Sequence, residues 1–193
     1  MLKHLYNWML DKAGHPQAGK WLAGISFAES SFFPIPPDVM LAPMCLAKPE
    51  KSYWYALICT IASVLGALLG YAIGYFVFET VGMPILEFYG VTDKFDVFAQ
   101  NFNEQGWVVV FLAGFTPLPF KVITIAAGST AMPLHILVGA AILSRAARFF
   151  LVAILLRYFG PPMKLWIDRN FALATTAVGI LFVGGFAAVS WLL

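Results

Sequence analysis

The chain has 193 residues, of which 61% are apolar and 11% charged, and its formal net charge is +2. Soluble domains usually carry about 25% charged residues, so this composition excludes an ordinary soluble domain and indicates one compact membrane domain. The small net charge gives no reason to expect a nucleic-acid partner.

Residues 1–20 mix charged and apolar side chains and lack the apolar core of a cleavable signal peptide. Leu2, Leu5, Tyr6 and Met9 recur at helical spacing. This spacing predicts an amphipathic helix that lies at the membrane interface.

Three apolar segments are long enough to cross a bilayer, which takes about 20 helical residues. They are residues 53–78, residues 136–156 and residues 171–193. The second contains Arg145 and Arg148, whereas the third has no charged residue. We predict a transmembrane helix at each of them.

Residues 21–47 and 107–128 are also apolar, but prolines interrupt both segments. Proline removes a backbone donor and restricts the residue before it, so each segment is predicted to form two short helices that meet at a turn. Non-helical backbone at membrane depth is tolerated only where protein or a wet cavity covers it. The prolines at the breaks are Pro34, Pro36, Pro37, Pro117 and Pro119.

The distribution of charge predicts that both broken segments turn back instead of crossing. Residues 79–106 would then lie on one side, with five acidic residues and only Lys94 as a basic one. The positive-inside rule makes the opposite side cytoplasmic, which places the N-terminus in the cytoplasm and the C-terminus in the periplasm. That basic side would hold Lys3, Lys12, Lys20, Lys48, Lys51, Arg157, Lys164 and Arg169.

The two breaks match each other when the sequence is shifted by 83 positions, which places Asp38 on Lys121. One span separates the two hairpins, so they would enter from opposite sides. The predicted fold class is therefore an all-α integral membrane protein, built over residues 21–160 from an inverted repeat of re-entrant hairpin plus transmembrane helix. Transporters with inverted repeats place their site near the midplane, and a chance match of prolines is the alternative.

Charged side chains inside a membrane are costly and usually face a bundle interior or a wet cavity. Glu29 is interpreted as a partly desolvated carboxylate that exchanges a proton, or as one held permanently by an arginine or by backbone donors. Asp38 either caps the returning helix or pairs with Lys121. The alternative for Lys121 is an ammonium that snorkels towards water.

Arg145 and Arg148 are three residues apart and therefore share one face of their helix. Arginine suits bidentate contact with phosphate, so we predict a phosphate or carboxylate site opposite Glu29 and Asp38. Structural ion pairs with those acids are the alternative. Both interpretations hold together if the pairs exchange partners during transport.

Gly66, Gly70 and Gly74 recur every four residues, the spacing that lets membrane helices pack closely. Cys45 and Cys59 lie in apolar surroundings and are predicted to be buried and free. No histidine has the neighbours that a metal site needs, and no nucleophile has an evident base. We therefore expect no metal, no cofactor and no enzymatic activity.

A broken segment with two acids, ESSFFPIPPDVML, is followed by the glycine-rich GALLGYAIGY, by a second broken segment, FLAGFTPLPFKVITIAAG, and by two arginines. In order and spacing, these stretches resemble the DedA family of membrane proteins, which share the VTT (SNARE-associated) domain. The YqaA-like branch is the most similar. The resemblance covers about residues 20–160.

The resemblance implies a bacterial inner-membrane protein with two re-entrant hairpins that moves phospholipids or undecaprenyl phosphate across the bilayer, in dependence on the proton gradient. It assigns Glu29 and Asp38 to the essential acidic pair of the family, and it implies membrane lipids and protons as partners. The second hairpin of the family typically reads F-x-x-R-F-x-P-x-x-R, whereas Gly114 and Phe120 stand at its arginine positions here. The candidate replacements are Lys121, Arg145 and Arg148.

We therefore predict a lipid transporter of the flippase or scramblase type that takes a phosphate headgroup. A proton-coupled carrier of a small ion or solute, using the same acids, is the alternative. A scaffold that transports nothing ranks third, because an inverted repeat would be unnecessary in it.

Overall fold

The computed structural model describes residues 17–33, 36–116 and 118–169, together with 183, 184 and 187, and gives only the backbone for 161–169. The helix predicted at residues 1–20 and the span predicted at 171–193 lie almost wholly outside the described residues. Two of the prolines at the breaks, Pro34 and Pro117, also lie outside them.

Helices make up most of the described chain, which contains no strand; the prediction of an all-α protein is confirmed. A 3-10 turn, Pro49–Lys51, leads into the third helix, and a π-helical segment, Phe78–Gly82, follows that helix. The helices over residues 17–169 are α1 (Ala18–Ser31), α2 (Asp38–Ala47), α3 (Ser52–Val77), α4 (Met83–Tyr89), α5 (Thr92–Glu104), α6 (Gly106–Phe115), α7 (Phe120–Ser129) and α8 (Leu134–Arg169).

Both proline-containing segments are broken into two helices at the predicted places. Pro36 and Pro37 directly precede α2, and Pro119 directly precedes α7. Proline is favourable at a helix start, where its missing N–H would have had no partner within the helix. The prolines thus fix where the second helix of each pair begins.

The long helices α3 and α8 run antiparallel. Tyr53, at the start of α3, stacks on Phe150 and lies beneath the guanidinium of Arg157. Farther along α3, Ser63 accepts a hydrogen bond from Arg145, which comes earlier in α8. Two helical stretches, Pro49–Tyr89 and Leu134–Gly160, are long and apolar enough to cross a membrane.

The first hairpin consists of α1, α2 and the residues between them. Ser26 donates to the carbonyl of Cys59, and Ser31 donates to the carbonyl of Gly66, so α1 runs parallel to α3. Only residues 48–51 separate α2 from α3. The chain must therefore reverse direction between α1 and α2.

The second hairpin consists of α6, α7 and the residues between them, and it repeats this arrangement. The Trp107 ring packs against Gly139, and Arg148 donates to the carbonyl of Thr116, so α6 runs parallel to α8. Only residues 130–133 separate α7 from α8. The chain therefore reverses between α6 and α7 as well.

Each hairpin lies against both long helices. The first helix of each hairpin packs along the long helix that follows it, α1 on α3 and α6 on α8. The second helix of each hairpin packs mainly on the other long helix, α2 on α8 and α7 on α3. Because the second helix of each hairpin packs on the other long helix, the two breaks lie close to each other, between α3 and α8.

Glycines make the closest contacts between these helices. A Cβ at Gly66 would overlap the carbonyl of Phe27 in α1, and one at Gly74 would overlap the carbonyl of Ile125 in α7. Gly70 leaves room for Thr124. The packing role predicted for the glycine repeat is confirmed.

The apolar interior forms two clusters, one around each hairpin. The first includes Leu22, Met40 and both cysteines, Cys45 and Cys59, which are free and buried as predicted. The second surrounds Phe120 and other residues of the second hairpin. Between the clusters, the buried residues of α3 and α8 include the polar Thr60, Ser63, Ser144 and Arg145, which leaves polar groups at the centre.

Residues 79–106, predicted only to connect the spans on the acidic side, contain α4 and α5. Along α5 a ladder of aromatic rings joins Phe95, Phe98 and Phe102, and Phe78 stacks on its first member. Their spacing of three and four residues places these rings on one face of the helix. This short helix therefore packs through its aromatic face on Phe78, in the π-helical segment that follows α3.

Candidate functional site

Arg145 and Glu29 form a salt bridge between α8 and α1. The Arg145 side chain is 1% exposed and that of Glu29 is 12% exposed. The bridge is thus nearly enclosed by protein, where the loss of one partner would leave a charge without compensation.

Serines complete the hydrogen bonding of this pair. Arg145 donates from Nε to Ser63 Oγ at 2.6 Å and from Nη2 to Ser30 Oγ at 3.0 Å. The two hydroxyls lie 2.5 Å apart, and Ser30 also donates to Glu29 Oε2 at 3.1 Å. The sequence contained these serines, but only the packing of α1 on α3 shows that they form one network.

Two aromatic rings enclose the Arg145 guanidinium. Its central carbon lies 4.5 Å from the centre of the Phe120 ring and 5.1 Å from that of Phe149. Both phenylalanines are fully buried. These contacts, together with the polar network, hold the guanidinium in one position.

Arg148 joins the two hairpins. It donates from Nη2 to Asp38 Oδ2 at 2.6 Å, at the start of α2, and from Nη1 to the carbonyl oxygen of Thr116 at 2.9 Å, just after α6. Unlike Arg145, this pair is partly open, with Arg148 19% and Asp38 27% exposed. Asp38 Oδ1 is buried and has no hydrogen-bond partner among the residues that the structure describes.

A cavity of about 150 Å³ lies between the two breaks. Such a volume holds several water molecules, since each occupies about 30 Å³ in the liquid. Both hairpins and α8 line it, through Glu29, Phe33, Pro36, Leu118, Pro119, Lys121 and Arg148.

Lys121 lies at the cavity wall without an acidic partner in the described part of the chain. The expected pair between Asp38 and Lys121 is wrong, because Arg148 occupies the carboxylate of Asp38 instead. The sequence shift correctly places both residues at the starts of equivalent helices. It could not show that a cation from α8 reaches Asp38.

One hydrogen bond ties the first hairpin to the second near these pairs. Thr124 of α7 donates to the carbonyl of Ser30 in α1 at 3.1 Å. Sequence reasoning missed Thr124, Ser63 and the two phenylalanines around Arg145. For Thr124 and Ser63, the available signal was an isolated hydroxyl residue in an apolar helix.

Among the described residues, no three His, Cys, Asp or Glu side chains could hold a metal ion together.

The sequence matches the VTT domain over residues 35–158, which is more than half of the chain. The chain belongs to the VTT domain, or DedA, family. VTT proteins are generally regarded as membrane transporters and not as enzymes, so the two long apolar helices are those of a membrane protein. Assignment to the YqaA-like branch stays a prediction.

Similar proteins occur in bacteria and archaea. The chain is 37% identical over 179 residues to an uncharacterized protein of Haemophilus influenzae, with 93% of each chain covered. It is 39% identical over 180 residues to one of Histophilus somni, covering 93% of this chain and 89% of the other. An uncharacterized protein of Methanocaldococcus jannaschii is 30% identical over 129 residues, which cover 66% of this chain and 77% of the other. No solved structure gives a significant match.

The cations of α8 lie beside the two positions where the VTT resemblance predicted arginine. Gly114 leaves room for Ser144, the neighbour of Arg145, and Phe120 packs against the Arg145 guanidinium itself. Arg148 reaches the carbonyl of Thr116 between these positions. Positive charge is thus present next to the second break although the segment lacks both arginines.

Proposed function

We propose that this protein translocates lipids with a phosphate headgroup across a bacterial inner membrane. The observation that carries the proposal is the cavity between the two breaks, which Lys121 and Arg148 line together with Glu29. Moving a charged headgroup through hydrocarbon alone is very costly, so a polar path with a few compensating charges accelerates the crossing. The acyl chains remain in the surrounding bilayer.

The proposed arrangement in the membrane is an inverted repeat of two re-entrant hairpins. The antiparallel long helices, and the matching exchange of α2 and α7 between them, support it. Arg148 lies near the middle of Leu134–Gly160, which would place the cavity close to the bilayer midplane. Inverted-repeat transporters bind their substrates at this depth.

The two arginines have different roles in this proposal. Arg145 is enclosed and hydrogen-bonded through Nε and Nη2, so it positions Glu29 and the first hairpin. Arg148 is partly exposed at the cavity and exchanges the carboxylate of Asp38 for the headgroup phosphate. Protonation of Asp38 weakens its pair with Arg148 and frees the guanidinium, which would couple transport to protons.

Replacing Arg148 with alanine is expected to lower the rate of phospholipid flipping in proteoliposomes at least tenfold, because the cavity loses its phosphate-binding guanidinium. Dithionite quenching of acyl-labelled lipid gives the rate. Arg157→Ala is the matched control, since Arg157 lies on the same helix but packs on the rings of Tyr53 and Tyr158 and is not among the residues that line the cavity.

The proposal fails if the wild-type protein moves neither phospholipid nor polyprenyl phosphate faster than empty liposomes. A proton flux that depends on a soluble substrate, without lipid movement, would establish the alternative carrier function. Equal flipping rates for wild type and Arg148→Ala would show that Arg148 does not bind the headgroup.

Labelling of single cysteines tests the membrane arrangement. In a background with Cys45 and Cys59 replaced, cysteines at positions 20 and 50 are expected to react from the cytoplasmic side, and one at position 94 from the periplasmic side. Lys20, Glu50 and Lys94 are exposed in the structure. Labelling of positions 20 and 50 from opposite sides would show that the first hairpin crosses the membrane, and would contradict the inverted repeat.

A further inference from the structure

The charges around the central cavity do not cancel. Arg145 and Arg148 are each paired with one carboxylate, from Glu29 and Asp38. Lys121, which lines the same cavity, has no acidic partner in the described part of the chain. With all five groups ionised, three cations face two anions, and one positive charge remains.

We propose that this surplus charge makes the cavity selective for a singly charged phosphate, a phosphodiester, with Lys121 as the selectivity-determining residue. The inference rests on the proposed function and names its substrate class. A phosphodiester carries one negative charge, whereas a phosphomonoester carries about −1.5 to −2 at pH 7 because its second pKa is near 6.

The physical reason is the low dielectric of the site. Water screens an unmatched charge at an exposed surface, but it screens weakly in a cavity at the proposed depth near the bilayer midplane, walled by the buried Leu118 and the half-buried Phe33. A phosphodiester brings the net charge of the five groups to zero, whether its phosphate contacts Lys121 or replaces the Asp38 carboxylate at Arg148. A phosphomonoester brings a second negative charge that exceeds the surplus, so it must itself take up a proton before it matches the site, and a zwitterionic lipid leaves Lys121 without full compensation.

The test compares three lipids with unmodified headgroups and a fluorescent label on one acyl chain, in proteoliposomes at pH 7.5. Phosphatidylglycerol is the singly charged diester, phosphatidic acid the monoester and phosphatidylcholine the zwitterion. We expect the wild-type protein to move phosphatidylglycerol roughly tenfold faster than either of the others.

Two variants shift the charge balance in opposite directions. Lys121→Gln leaves a neutral site, so phosphatidylcholine is expected to move at least as fast as phosphatidylglycerol. Asp38→Asn raises the surplus to two, so phosphatidic acid is expected to overtake phosphatidylglycerol. Arg157→Gln removes a cation distant from the cavity and is expected to keep the wild-type order. The same order of lipids in wild type, Lys121→Gln and Asp38→Asn would overturn the inference while leaving lipid transport standing.

A binding measurement separates this inference from the proposed function. In detergent, short-chain phosphatidylglycerol is expected to raise the Tm of the wild-type protein but not of Lys121→Gln, since a ligand stabilises the folded state to which it binds. Soluble glycerophosphoglycerol tests the free headgroup. Stabilisation by that headgroup alone, without lipid movement, would retain the monoanion site and refute the lipid transporter; stabilisation of Lys121→Gln equal to wild type would refute the role of Lys121.

Discussion

Replacing Glu29 with leucine is expected to lower the free energy of unfolding by about 3–5 kcal/mol, because it leaves the Arg145 guanidinium buried without its counter-ion. Arginine cannot lose its proton inside a protein, and the side chain is 1% exposed. The remaining hydroxyls of Ser30 and Ser63 are neutral and compensate only part of the charge. Chemical unfolding in mixed micelles, followed by circular dichroism, measures the loss.

The opposite replacement, Arg145→Met, is expected to cost less, about 1–3 kcal/mol, because Glu29 is less enclosed than Arg145 and keeps the hydrogen bond from Ser30. The double variant Glu29→Leu with Arg145→Met should recover most of the stability, since no buried charge remains. Glu104→Leu is the control, because Glu104 is exposed and, within the described part of the chain, its side chain bonds only to Gln100; surface changes usually stay within about 0.5 kcal/mol. Equal losses in Glu29→Leu and Glu104→Leu would contradict the enclosed pair.

Adding one methyl group at Gly74 or Gly128 is expected to destabilise the protein by about 1–3 kcal/mol in each case, because the new Cβ overlaps a backbone carbonyl. At Gly74 the obstacle is Ile125 in α7, and at Gly128 it is Tyr71 in α3. A backbone carbonyl cannot rotate away as a side chain can, so α3 and α7 must move apart. The midpoint of thermal unfolding in detergent measures the effect.

Gly24→Ala is the matched control for these substitutions. Gly24 lies within α1, and a Cβ there would meet no atom within 4 Å. Alanine in place of an unconstrained helical glycine stabilises by roughly 0.5–1 kcal/mol. If Gly24→Ala, Gly74→Ala and Gly128→Ala all gave the same change in Tm, close contact between α3 and α7 would not be the reason for the glycines.

The sequence was enough to predict the all-α fold class, the two breaks and the charged residues at the centre. Prolines before α2 and α7 exclude a continuous helix for local steric reasons, whatever the rest of the chain does. The spacing of Arg145 and Arg148 places both on one helix face. The helix α5 was missed because its amphipathic pattern is short and its acids had been counted only as charges of a connecting segment.

The partners of the charges could not be predicted. The pseudo-symmetry of the sequence suggested Lys121 for Asp38, yet Arg148 holds that carboxylate, and Lys121 is left at the cavity wall. Which cation pairs with Asp38 depends on the position of α8 along its own axis relative to both hairpins. Contacts such as Gly114 of the second hairpin against Ser144, and Leu46 of the first hairpin against Gly160, set that position, and residues far apart in the chain supply them.

By itself, therefore, the sequence determined which segments are helical, where the hairpins break and which charges are present in an apolar chain, because these depend on local sterics and composition. Only the tertiary structure decided that Arg145 is enclosed with Glu29, that Arg148 joins the two hairpins and that Lys121 remains uncompensated. Electrostatic partners are set by distances of a few ångströms across helices. Those distances follow from how closely the glycine-lined helices pack, which no local pattern specifies.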